Sequence, residues 1–148
     1  MKNKDNNINL YRLIGALLVS CLISISAAAC SGPFALSEAT TCTGIDKNMM
    51  PINPTTSFDS NISDINVSLK AENAPSNTEI RAELFYVKGA ASQSSRLVSA
   101  TRATVKGTTY IGLTFTRGSI AVWPVGEYRV DIYVDGNKSL DLFFTVTD

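Results

Sequence analysis

A chain of 148 residues with 13 basic and 13 acidic side chains has room for one domain around one core, and no cationic excess with which to neutralise nucleic-acid phosphates. It contains no histidine, the commonest general base near neutral pH and the commonest metal ligand, so Ser-His-Asp, Cys-His and HExxH chemistries are excluded. The composition predicts a protein that is not an enzyme, with no metal, no cofactor and no nucleic-acid partner.

The first element in chain order is an export signal. Met1 to Arg12 is polar with a slight positive excess, residues 13–26 are apolar, and Ala27-Ala28-Ala29-Cys30 follows. That is the layout of a signal peptide over residues 1–29. A membrane-crossing helix needs about 20 apolar residues, and this run is shorter and broken by serines. Ala27-Ala28-Ala29-Cys30 resembles the lipobox of bacterial lipoproteins, although Ala27 stands where that family usually has Leu. The resemblance implies lipid on Cys30, a membrane anchor, and a location outside the cytoplasm on the cell or outer membrane. Leu18-Val19-Ser20-Cys21 fits the lipobox letters better, but lipid on Cys21 would leave Leu22 to Ala29 as an apolar tail, whereas the chain turns polar directly after Cys30. If Cys30 is acylated, Cys42 is a lone thiol. If it is not, Cys30 and Cys42 are free to close a short disulfide loop in an oxidising compartment.

From Ser31 to about Thr56 the chain is rich in Ser, Thr, Pro, Gly and Asn, with neither helical nor alternating periodicity. Residues 30–55 therefore read as a flexible tether that carries a domain over residues 56–148. Within that domain apolar residues alternate with polar ones, the pattern of half-buried strands. A short strand is expected around Phe58. Ile65, Val67, Leu69 and Ala71 form one inward row, ended by Asn73-Ala74-Pro75-Ser76-Asn77. Ile80, Ala82, Leu84 and Tyr86 form the next, with Gly89 beginning a loop. A weaker strand near 96–105 leads to a Gly107 turn, and Ile111, Leu113 and Phe115 supply another row. Tyr128, Val130, Ile132 and Val134 then face Leu140, Leu142, Phe144 and Val146 across Gly136-Asn137. A plain two-residue turn at Asp135-Gly136 would set the apolar row against the polar one. A longer loop or a bulge must therefore bring Ile132 opposite Leu140 or Leu142, leaving Tyr133 and Phe143 on the solvent side. The sum is about seven strands in a single all-β, antiparallel sandwich.

The run Trp123-Pro124-Val125-Gly126-Glu127-Tyr128-Arg129-Val130, with Tyr133-Val134-Asp135-Gly136 and the closing Phe144-Thr145-Val146, resembles the C-terminal signature of bacterial immunoglobulin-like domains. It is also similar to the approach to the penultimate strand in fibronectin type III modules. The resemblance implies a structural corner of Trp123, Pro124, Gly126 and Tyr128, with the Tyr128 hydroxyl turned back to the preceding backbone. Trp123 has two readings: a plug at the end of the sandwich, or, with Tyr133 and Phe143, an exposed aromatic surface for a protein or glycan ligand. Asn53-Pro54-Thr55-Thr56 resembles a loop of the chagasin-type protease inhibitors, but the other two loops of that family have no counterpart here. The carboxylates Asp59, Asp64, Asp135 and Asp141 read as turn caps and strand edges rather than a glycosidase pair. The expected function is a membrane-anchored binding or adhesion module, with a structural subunit of an envelope assembly as the alternative.

Overall fold

The computed structural model describes residues 32–89, 91 and 94–148. The segment expected to be a signal peptide, Cys21 and Cys30 lie outside the described residues. Among the described residues of Gly32–Asp148 there are seven strands and no helix: β1 (Ala35–Ile45), β2 (Pro51–Pro54), β3 (Ser57–Asp59), β4 (Asp64–Gly89), β5 (Arg96–Thr116), β6 (Gly126–Val134) and β7 (Asn137–Thr147).

Period-two alternation decides which side of each strand is sealed. Ile65, Val67, Leu69 and Ala71 are buried, as are Ile80, Ala82, Leu84 and Tyr86, then Ile111, Leu113 and Phe115, then Tyr128, Val130, Ile132, Phe144 and Val146. Together with Phe58, Ala74 and Trp123 they form one core, and Leu140 and Leu142 pack at its border. Phe58, on β3, reaches this core because β3 pairs in parallel with the end of β7, Phe58 opposite Val146.

Two long strands shape the architecture. β4 and β5 run antiparallel from Asp64 opposite Thr116 to Tyr86 opposite Arg96, and each belongs to both layers. The first half of β4 lies between β1 and the end of β5; its second half lies between the start of β5 and β6. One layer thus runs β2-β1-β4-β5 and the other β5-β4-β6-β7-β3. The turn-forming residues expected to end the strand bend it instead. Asn73, Asn77 and Gly107 take φ of 54°, 67° and 72°, a left-handed conformation that Asn and Gly tolerate best. The ladder shifts register there and resumes beyond the bend. The product is an immunoglobulin-like β-sandwich.

The segment expected to be a tether is largely strand. β1 pairs with β4, Leu36 opposite Ala71 and Cys42 opposite Asn66, and with β2, Gly44 opposite Ile52. Its threonines suit a strand as well as a linker. A bulge between Ser37 and Thr40, where Glu38 takes φ of 52°, breaks the alternation that would have revealed it. The loop joining β1 to β2 is pinned by Asp46 Oδ1, which accepts the N–H groups of Asn48 and Met50 at 2.8 Å each. It folds back over the outer side of β4, where Ser68 Oγ donates to Met49 O at 2.6 Å. Asn66 and Ser68, expected to face water, are consequently buried. Asn66 satisfies its amide with Thr43 O and Thr114 Oγ1.

The β6–β7 hairpin solves its register problem with a bulge. Val134 stands opposite Asn137 across a two-residue Asp135-Gly136 turn, with φ of 46° and 84°. One residue is then left over at Ser139, so Ile132 meets Leu140 and apolar rows coincide.

Candidate interaction surface

Aromatic packing and short turns build the corner before β6. Trp123 is 1% exposed, its backbone N–H donates to Ser60 O at 2.8 Å and its indole N–H donates to Ile62 O at 3.0 Å. Tyr128 Oη donates to Pro124 O at 2.7 Å. Tyr86 Oη donates to Val125 O at 3.1 Å and accepts the Ala91 N–H. Tyr128 meets Tyr86 and Trp123 edge-on and stacks on Phe144. Burial pushes the Tyr128 phenol well above the ordinary tyrosine range. Gly89 and Gly126 stand opposite one another; a Cβ on Gly126 would lie 2.5 Å from Lys88 O.

Trp123 therefore belongs to the interior, and the expected surface of Trp123, Tyr133 and Phe143 is not assembled. Its indole closes that end of the core beside Tyr128. Tyr133 and Phe143 do lie on one face, the outer side of the β4-β6-β7 layer, but in separate rows.

That face is ordered by strand register. Arg81, Tyr133 and Lys138 form one cross-strand row, Glu83, Asp131 and Asp141 the next, and Phe85, Arg129 and Phe143 the third. The acidic row is neutralised from both sides. Arg129 grips Asp131 with two hydrogen bonds of 2.7 and 3.1 Å, Lys138 reaches Asp131 at 3.0 Å and Asp141 at 3.2 Å, and Arg81 pairs with Glu83. Arg81 also lies 4.4 Å over the Tyr133 ring. In the third row Arg129 lies 5.0 Å over Phe85, and Phe143 is 61% exposed. Leu97, opposite Phe85 on β5, extends this row, and it and Val98 are exposed. Phe85, Leu97 and Arg129 were not singled out from the sequence. For Phe85 and Leu97 the signal was an aromatic or aliphatic residue standing in the polar set of an alternating strand; Arg129, a cation in such a set, gave none.

The outer edge of this layer is β5. Along all 21 of its residues it pairs only with β4 among the described strands. Arg102 stands opposite Arg81, and the two line a shallow groove of about 220 Å³ with Ala100 and Thr101.

Other residues singled out from the sequence fall elsewhere. Cys42 is fully buried and free, its thiol 3.7 Å from Asn66 O, and burial raises its pKa. Asp59 and Asp135 accept backbone N–H groups at turns, from Asn61 and Glu79, and Asp64 accepts from Ser63. No cluster of acidic and cysteine side chains suited to a metal occurs among the described residues. Asn53 to Thr56 does not project as a loop. It ends β2 and crosses between layers, Thr55 donating to Thr41 O and Thr56 accepting from Thr145.

No known family pattern matches this chain, and no curated protein matches it. Solved structures do. The alkylpurine DNA glycosylase AlkC of Pseudomonas fluorescens, bound to DNA containing an abasic site analogue, aligns with 78% of the chain and 30% of its own at 13% identity and a TM-score of 0.50. A β-glucosidase of Listeria innocua in complex with gluconolactone aligns over 78% of this chain and 16% of its own, at 12% identity and a TM-score of 0.48. An immunoglobulin-like protein of Pseudomonas aeruginosa aligns over 79% and 98%, at 10% identity and a TM-score of 0.48. The chain thus spans less than a third of each of the first two, and at such identity what it shares with the glycosylase is the fold.

Proposed function

We propose that this chain is a non-catalytic binding or adhesion module, held at a bacterial membrane through lipid on Cys30 and displaying its sandwich outside the cytoplasm to a protein or glycan. The observation that carries the reading is the row of Leu97, Phe85, Arg129 and Phe143 on the outer face of the β5-β4-β6-β7 layer. Exposed apolar groups flanking a guanidinium favour contact with a partner, because they cover area at little entropic cost. A second reading, a structural subunit of an envelope assembly, draws support from the open edge of β5.

The test compares the full chain with its Phe143→Ala and Leu97→Ser variants on a glycan array and in pull-downs from solubilised envelope. Glycan binding lost in the variants supports adhesion, and one stoichiometric protein partner lost in them supports assembly. Variants that bind as well as the parent reject this surface. Membrane fractionation of Cys30→Ala examines the anchor, and undiminished membrane retention of that variant rejects it.

A further inference from the structure

We propose that the free edge of β5 takes up an extended acidic peptide segment as an added strand; this rests on the reading of the chain as a binding module and names the partner's chemistry.

An edge strand presents unpaired N–H and C=O groups that a further strand can complete. β5 keeps that edge open over its full length among the described residues, on a sandwich whose opposite edges are the short strands β2 and β3. Its charge selects the occupant. β5 carries Arg96, Arg102 and Lys106 and no carboxylate, and all three are exposed, Arg102 sharing its charge with Glu79 of β4 at 3.7 Å. A second copy adding edge to edge about a two-fold axis would set these cations against themselves, which opposes pairing. The signal segment is also a poor complement, since it carries Lys2, Lys4 and Arg12 against Asp5 alone. Whereas Arg96, opposite Tyr86, lies over that ring on the other face, a segment with carboxylates on alternate residues matches the stretch of the edge that carries Arg102 and Lys106. Its outward side chains would lie beside Arg102, at the groove that Arg102 shares with Arg81. The exposed Leu97 and Val98 offer apolar neighbours at the start of the strand. The basic side chains thus both discourage self-association and specify the partner.

The probes are two capped eight-residue peptides, one alternating Val with Glu and one alternating Val with Lys, titrated against the full chain in mild detergent. The Glu peptide is expected to bind, to weaken as salt is raised, and to slow hydrogen exchange across residues 96–105. Arg102→Glu, and separately Lys106→Glu, are expected to weaken it at least tenfold while the urea midpoint stays unchanged. Equal binding of both peptides, no binding, protection confined to β7, or a dimer of the chain formed through β5 each overturns the proposal. Loss of glycan or envelope binding in Phe143→Ala, alongside failure of the Glu peptide, would leave the binding module standing and remove only the edge.

Discussion

Replacing Tyr128 with Phe is expected to expose the energetics of the corner through pH. The phenol is 1% exposed and donates to Pro124 O at 2.7 Å. Its loss removes one partly buried hydrogen bond and leaves a carbonyl short of a donor, which costs about 1–3 kcal/mol at neutral pH. Burial holds the folded-state pKa of Tyr128 far above its unfolded value, which lies near 10. Below pH 10 both states keep the proton and the full stabilisation is present. Above it the unfolded chain releases a proton that the folded chain retains, so stability falls as pH rises, by about 1.4 kcal/mol at pH 11 from this group. The Phe variant lacks that slope. Urea unfolding followed from pH 7 to 11 should therefore show the variant less stable at pH 7 and the two curves converging by about 1.4 kcal/mol at pH 11. Other titrating groups are common to both proteins and cancel in the difference. A gap that stays constant over this range, or is absent at pH 7, refutes the account of the corner.

Trp123→Ala is expected to destabilise the fold by about 3–5 kcal/mol, read as a shift in urea midpoint; because Trp123 is the only tryptophan, native emission should be blue-shifted and resistant to acrylamide, and ready quenching would place the indole at the surface. Gly126→Ala should cost more than about 1 kcal/mol, since φ of 154° and the Lys88 carbonyl at 2.5 Å leave no space for a methyl group; a neutral result would show that β4 and β6 do not approach so closely. Cys42 should stay unpaired and react with maleimide only on unfolding. It stands opposite Asn66, whereas Asn73 holds Pro33 O at 3.3 Å, about 23 Å away along β4. The three residues back from Pro33 to Cys30 reach at most about 11 Å, which leaves more than the roughly 7 Å that a disulfide can bridge. A Cys30–Cys42 crosslinked peptide in a non-reducing digest would refute this.

Local pattern was enough wherever a strand is half buried and unbroken. Period-two alternation identified the inward rows from Ile65 to Ala71, from Ile80 to Tyr86 and from Ile111 to Phe115. The mismatch of rows at Asp135-Gly136 required a loop or a bulge, and the bulge at Ser139 is what forms. The candidate surface was legible only in part: Phe143 was named, while Leu97, Phe85 and Arg129 came together through cross-strand register, which no single strand encodes.

What the sequence by itself determined is which side chains turn inward, because alternation and side-chain hydrophobicity are local properties. Only the tertiary structure decided the rest. Residues 35–45 become a strand because β4 supplies their hydrogen-bond partners, and β1 in turn supplies those of residues 51–54. Asn73 to Asn77 bends a strand rather than ending it because the β4–β5 ladder continues beyond. Trp123 is buried because Ser60 and Ile62, more than sixty positions earlier in the chain, close around it together with Tyr128.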